Sequence, residues 1–325
     1  KIALSQLIEL GGKRGRRREV ALLEKKLAEY DFKAEKLDLI ASTAISFVQV
    51  LTAQEQVALN DDLVKIAEKA VNAVEERVRA GKVSPVEKYR AQVELSAARS
   101  EANRARRDLE EARSRLAASW GSDSPGFLKV IGDLAEMNSI PEKETMEELL
   151  NSNPDLARWK TEINKSEAEL KLARSETVPD LTASAGVKAF RESDNHAFSV
   201  GVSIPLPFFN RNQGGIRESL AIRDKTLQEF KSANLALMTK LAEALRNVKT
   251  ARSEAAVLRD EILPNAEKAY KLTELGYNRR NMDFLQMLDA QRTLFNVRRE
   301  YLKALETYHV ENIEMARIIG ISSQD

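Results

Sequence analysis

The sequence predicts a mainly α protein built from long antiparallel coiled-coil hairpins in tandem repeat, with one small β-hairpin region. Three observations carry this. Two long stretches hold apolar side chains at heptad spacing, an internal register of 199 residues runs through most of the chain, and one segment alone switches to two-residue alternation.

The first helical stretch runs from about Arg17 to Ala80 without glycine or proline. Its apolar or small residues are Leu23, Leu27, Tyr30, Ala34, Leu37, Ala41, Ala44, Val48 and Leu51, spaced alternately by four and three. A helix of about 60 residues approaches 90 Å, at roughly 1.5 Å per residue. A turn at Arg79-Ala80-Gly81-Lys82-Val83-Ser84-Pro85 starts a return helix expected to end near Ser119. Breakers follow at Gly121-Ser122-Asp123-Ser124-Pro125-Gly126 and Ile140-Pro141, then a short helix over 143–151. Asn153-Pro154 starts another helix, with asparagine as its cap.

Residues 178–207 differ from all the rest. Leu181, Ala183, Ala185, Val187 and Ala189 alternate with Thr182, Ser184, Gly186 and Lys188. After the polar turn 191–196, Phe198, Val200, Val202 and Ile204 alternate with Ser199, Gly201 and Ser203. Two segments of about ten residues are long enough to cross a bilayer when tilted. A lone hairpin is marginal in water, so this one needs further strands, of which Ile2–Leu10 could supply one. A second heptad seam then runs from Ile216 through Leu220, Leu227, Phe230, Leu237, Leu241, Ala244, Val248, Ala251, Ala255 and Leu258 to Ile262. Pro264 is expected to kink that helix. The chain turns again near 276–283 and returns to Ile319.

Sliding the chain by 199 residues places Gln6–Leu10 on Pro205–Phe209, Lys69-Ala70 on Lys268-Ala269, Ala91-Gln92 on Ala290-Gln291 and Gly121 on Gly320. The register gives a first repeat over 1–121, an equatorial connector over 122–152 and a second repeat over 153–325. The helix and strand at the head of the second repeat have no counterpart in the first. The expectation is therefore a native chain longer at its N-terminus by about 46 residues.

Bulk properties exclude several functions. There is no cysteine, so disulfides and thiolate metal sites are absent, and the two histidines, His196 and His309, lie far apart in sequence. A formal net charge of +1 gives no global reason to bind nucleic acid. No apolar run approaches the roughly 18 residues of a spanning helix, which leaves β-strands as the membrane candidates. Acidic pairs abound on helices but come with no nucleophile or cleft signature, so no enzyme and no cofactor is expected.

The order of elements, and the strings Ile204-Pro205-Leu206-Pro207-Phe208-Phe209-Asn210-Arg211-Asn212-Gln213-Gly214, Arg79–Pro85, Leu285-Gln286-Met287-Leu288-Asp289-Ala290-Gln291-Arg292 and Asn153-Pro154-Asp155-Leu156, resemble the TolC-type outer-membrane efflux factors. The resemblance covers essentially the whole chain. The Pro-Leu-Pro-Phe-Phe string is most similar to the CzcC-like branch, associated with divalent heavy-metal efflux. The family implies a homotrimer in the outer membrane of a Gram-negative bacterium, with a β-barrel and a long periplasmic α-barrel. It also implies a periplasmic adaptor, an inner-membrane transporter of the RND type and outer-membrane lipid as partners. In the family each protomer gives four strands; this chain offers fewer. A passive duct for drugs or small organic molecules, and a periplasmic coiled-coil scaffold outside transport, are the other readings.

By the same resemblance Gly81, Lys82, Val83, Ser84 and Pro85, with Asn281, Met282, Asp283, Phe284 and Leu285, match positions that meet the adaptor. Tyr277, Arg279, Arg280 and Asp283 are candidates for a polar ring closing the periplasmic entrance. Arg14, Arg16, Arg17 and Arg18 form a basic run beside the first strand, read as a solvated helix start or as a contact for lipid headgroups. His309, Glu306 and Glu311 are read as helix-surface groups, and no metal site is expected in the chain.

Overall fold

The computed structural model describes residues 2–137, 140, 143–150, 153–190, 195–279 and 281–321. In chain order these form β1 (Ile2–Ile8), α1 (Lys13–Arg79), α2 (Pro85–Ala118), α3 (Lys143–Leu150), α4 (Pro154–Ser175), β2 (Leu181–Phe190), β3 (Asn195–Ser203), α5 (Gln213–Val257), a π-helical turn (Leu258–Ile262), α6 (Leu263–Asn278) and α7 (Phe284–Ile319). Of the polar turn expected over 191–196, Asn195 and His196 instead begin β3, and 191–194 lie outside the described residues, as does Arg280.

The long helices are held by their seams. Every seam position named for α1 is buried or half-buried, as is every one in α5. Ile262 departs, at 41% exposure. The cause is the π-helical turn before it, in which the N–H of Leu263 donates to the carbonyl of Leu258, five residues back. Pro264 has no N–H for the carbonyl of Asp260, and its ring crowds that turn. The turn absorbs the defect with one extra residue, in place of the expected simple kink. Beyond it the buried seam is Ala266, Tyr270, Thr273 and Tyr277, one residue later than continued four-three spacing would give. Lys65, which is 199 residues before Pro264, leaves α1 uninterrupted.

Helix bounds recur at the same interval. α1 ends at Arg79 and α6 at Asn278; Ser84 caps α2, and Asp283, 199 residues on, caps α7. Gly121 and Gly320 both follow return helices at φ +80°, and each closes the same pair of bonds. Gly121 N–H donates to Ala118 and Ser122 to Ala117; Gly320 donates to Arg317 and Ile321 to Ala316.

The chain divides into two compact units. The first holds residues 1–35 and 150–238. Its sheet has the order β1-β2-β3, antiparallel throughout. The register sets Ile2 opposite Val187, Leu4 opposite Ala185 and Ile8 opposite Leu181; Val187 then meets Phe198, Ala185 meets Val200 and Ala183 meets Val202. One face therefore collects most of the large apolar side chains, with Gln6 among them, and Ile2, Leu4, Phe198, Val200 and Val202 on it are all exposed among the described residues. The other face carries Ser5, Leu7, Thr182, Ser184, Gly186, Lys188, Ser199, Gly201 and Ser203. Two of its hydroxyls bond across strands, Ser184 to the Gly201 carbonyl and Ser199 to that of Gly186, both at 3.3 Å. α4 starts at the buried cap Asn153, whose Oδ1 accepts from Asp155 N–H at 2.7 Å, and lies along α1 through Arg158–Asp31 at 2.6 Å and Lys165–Glu24 at 3.4 Å.

Each long helix is tied at its start to the segment running from the end of α4 to β2. Lys13, buried, donates to Asp180 Oδ1 at 2.6 Å, and Leu10 N–H donates to the same oxygen at 3.0 Å. Those two donors hold the Asp180 carboxyl below its ordinary range. Asn212, the position equivalent to Lys13, donates at 2.9 Å to the Ala173 carbonyl and at 2.9 Å to Glu176.

The second unit holds residues 36–149 and 239–325. Its core joins Val48, Val50, Leu51, Leu109, Leu116, Leu258, Leu294 and Leu305. By length and composition α1 would qualify as a membrane span, contrary to expectation, but these valines and Leu51 are packed in this core. Connector residues 127–134 are tied to it. Gln54 exchanges two bonds with the backbone of Val130, at 2.9 and 3.1 Å, and His309 Nε2 lies 2.9 Å from the Leu134 carbonyl.

Candidate functional site

The two hairpin tips belong to the second unit and are built differently. In the first, α1 stops because Gly81 takes φ +66°, which lets Gly81 N–H bond to Val78 and Lys82 N–H to Arg77, at 3.0 and 2.9 Å. Ser84 then starts α2, its hydroxyl accepting from Val86 N–H with Pro85 in the first turn. In the second tip, Gly276 makes room. A Cβ there would lie 2.8 Å from both Cγ and Sδ of Met282, and Asn281 and Met282 direct their N–H groups at the Gly276 carbonyl, at 2.9 and 3.3 Å. Asp283 closes a capping box with Gln286: each side chain accepts from the other's backbone, at 2.8 and 3.1 Å.

Beneath the tips lies a small core of Val71, Val74, Ala91, Tyr277, Phe284, Met287 and Leu288. The Tyr277 and Phe284 rings tilt against each other at 5.8 Å. Arg77 lies over the Tyr277 ring at 4.1 Å and donates to its carbonyl at 3.1 Å. Burial pushes the Tyr277 phenol above its ordinary value, although the Arg77 charge pulls it down. The Tyr277 hydroxyl and Glu87 Oε2 are buried without a hydrogen-bond partner among the described residues.

The sequence-derived site residues therefore separate into two groups. Gly81, Lys82, Ser84, Pro85, Asn281, Met282, Asp283 and Leu285 are exposed, and Val83 is half-buried. Phe284, at 2% exposure, is core. Of the residues considered for a polar ring, Arg279 is exposed, Asp283 is engaged as a cap, and Tyr277, at 4% exposure, faces inward.

A groove of about 570 Å³ opens beside the tips between α2 and α7. Val86, Tyr89, Val93 and Leu285 give it an apolar floor that stays exposed. Arg90 and Asp289 line its rim with Glu94 and Arg292, which pair with each other. Sequence reasoning missed this groove and the Arg77 contact. Its signal was an apolar stripe at 86, 89 and 93 lying off the alanine seam 91, 98, 102 and 105.

His196 is exposed in β3, and His309 is half-buried against the connector. Glu306 is half-buried, and burial raises its carboxyl above the ordinary range, against Lys303 and Arg115. Among the described residues no three His, Asp or Glu side chains converge as a metal site.

The profile of the outer membrane efflux protein family matches residues 1–122 and 145–321. The cobalt-zinc-cadmium resistance protein CzcC of Cupriavidus metallidurans is 36% identical over 313 residues, 96% of this chain and 75% of that protein. The pyoverdine export outer membrane protein OpmQ of Pseudomonas aeruginosa is 26% identical, over 90% of this chain and 64% of its own length. In fold, a crystal structure of a membrane protein from Pseudomonas aeruginosa superposes with a TM-score of 0.86 at 20% identity, covering 98% of this chain and 75% of its own. Such proteins are passive conduits rather than enzymes, and this chain belongs to the outer membrane efflux protein family.

Proposed function

We propose that this chain is the outer-membrane protomer of a tripartite efflux pump that exports divalent heavy-metal cations. The observation that carries the channel reading is the sheet: most of its large apolar residues share one exposed face, and mainly small polar residues, with Leu7 and Lys188 among them, share the other. That is how a membrane barrel divides lipid from lumen. Strands pooled from three copies would remove the free sheet edges. The duct is passive, and its energy comes from an inner-membrane transporter of the RND type through a periplasmic adaptor. The cargo reading is supported by the 36% identity to a cobalt-zinc-cadmium resistance protein, against 26% to a pyoverdine export protein. The chain itself does not select metal, since it has no cysteine and two histidines.

We place adaptor docking at the exposed tip residues 81–85, 281–283 and 285, and the entrance-closing polar groups at Arg279, Arg280 and Asp283. Buried Tyr277 supports that ring from below. The repeats 1–121 and 153–325, with connector 122–152, are read as one duplicated unit, which the 199-residue recurrence of helix bounds supports.

Complementation tests the cargo. A host lacking its own metal-efflux outer-membrane gene, but keeping the transporter and adaptor, should regain zinc and cadmium tolerance and lose accumulated metal. Restoration of organic-compound tolerance alone would favour the drug or small-organic reading.

A further inference from the structure

The junction between sheet and helices brings to one end of the sheet an exposed aromatic loop and three arginines that form no ion pair among the described residues. β1 ends at Ile8 opposite Leu181, and β3 ends at Ser203 opposite Thr182, so the segments leaving both strands emerge at the same end of the sheet, flanking the start of β2. From β3 the chain runs through Leu206, Phe208 and Phe209, all exposed, the last at 95%. Pro205 and Pro207 fix the backbone there, so these rings are held out by a stiff loop. Two residues on, the Arg211 Nε donates to the Pro207 carbonyl at 3.4 Å, which keeps the guanidinium beside that loop.

On the β1 side, Arg17 pairs with Glu9 at 2.6 Å and Arg16 with Glu19 at 3.2 Å. Arg14 and Arg18 are exposed and have no ion pair among the described residues; neither has Arg211. Glu9, Glu19, Glu176 and Asp180 are each already engaged. An apolar face, then aromatic rings, then uncompensated arginines is the vertical order of a bilayer's hydrocarbon, interface and charged headgroup layers.

We propose that Arg14, Arg18 and Arg211 bind the headgroups of anionic phospholipids in the leaflet bordering the helices, with Phe208 and Phe209 seated at the interface. The proposal rests on the reading that the sheet lies in the outer membrane, and adds which lipid charge that membrane contact selects.

The test uses the full-length protein in a neutral detergent, following thermal unfolding as phosphatidylglycerol or phosphatidylcholine is added. Phosphatidylglycerol is expected to raise the midpoint at lower concentration than phosphatidylcholine, with an advantage that shrinks in high salt. Each of Arg14→Gln, Arg18→Gln and Arg211→Gln should raise the half-saturating phosphatidylglycerol concentration about fivefold. The phosphatidylcholine response and trimer mass should not change, and Arg→Lys at the same positions should keep most of the preference. Equal responses to the two lipids in the wild type, or an undiminished response in all three glutamine variants, would overturn it. So would an equal stabilisation by inorganic phosphate. A protein that stays monodisperse without detergent and ignores both lipids would instead sink the membrane reading itself.

Discussion

Arg77 covers the ring of Tyr277 at 4.1 Å and bonds the same residue's carbonyl at 3.1 Å, tying α1 to α6 just below both tips. A partly exposed cation–π contact is worth about 1 kcal/mol, and the hydrogen bond about 1 more. Arg77→Ala should therefore lower stability by about 2 kcal/mol, with the loss concentrated locally. Hydrogen exchange should quicken over 275–287, and Arg77→Lys should recover part of the protection.

Gly276 and Met282 define the second tip. Adding a methyl group at Gly276 drives Met282 out of place, since its Cγ and Sδ would stand 2.8 Å away. Gly276→Ala should cost about 1–2 kcal/mol. Adding Met282→Ala should return part of it, giving a coupled double-mutant cycle in thermal unfolding. Independent, additive losses would show that the two residues do not meet.

Gly81 offers the complementary case, because nothing lies within 4 Å of a Cβ placed there and only its φ of +66° resists substitution. Gly81→Ala should cost about 1 kcal/mol and Gly81→Asn less, measured by denaturant midpoint.

Glu306 yields a pH prediction. Burial raises its carboxyl in the folded state above the ordinary 4.5, so the folded protein holds this proton more tightly than the unfolded chain. The group therefore weakens the fold at neutral pH, and that penalty disappears as pH falls through the raised value toward 4.5. Glu306→Gln should raise the unfolding midpoint at pH 7 and flatten its dependence over that window. A midpoint at pH 7 below wild type would contradict the assignment.

Leu285 tests the docking surface. It is 51% exposed, so Leu285→Glu should change folding stability by less than about 0.5 kcal/mol. Adaptor affinity should fall on the order of tenfold, and metal tolerance with it, while trimer mass is kept. Val83→Glu should act in the same direction.

Much of this was legible in the sequence because helical packing repeats. Every position placed on a heptad seam, from Leu23 to Leu51 and from Ile216 to Leu258, is buried or half-buried, and alternation located both strands of the hairpin and the face each residue takes. Turn residues located the tips, since Gly81 and Asp283 do locally what their types favour. The burial of Tyr277 was not legible. It depends on the extra residue of the π-helical turn, whereas a proline in a helical pattern signals only that something must yield. The apolar floor of the groove was equally hidden, because Val86, Tyr89 and Val93 gain meaning only once α7 brings Leu285 beside them.

The π-helical turn also fixes how the chain can tolerate changes in length. It holds one residue more than an ordinary helical turn, in the single stretch where the packing phase has already shifted. Removing one residue from 259–262, with Pro264 replaced by alanine, should convert it to plain α-helix and leave Tyr277 where it is. The same deletion near Tyr270 would rotate Tyr277 by about 100° and empty the core under both tips. Along this helix, then, the spelling is free to lose a letter in one place only.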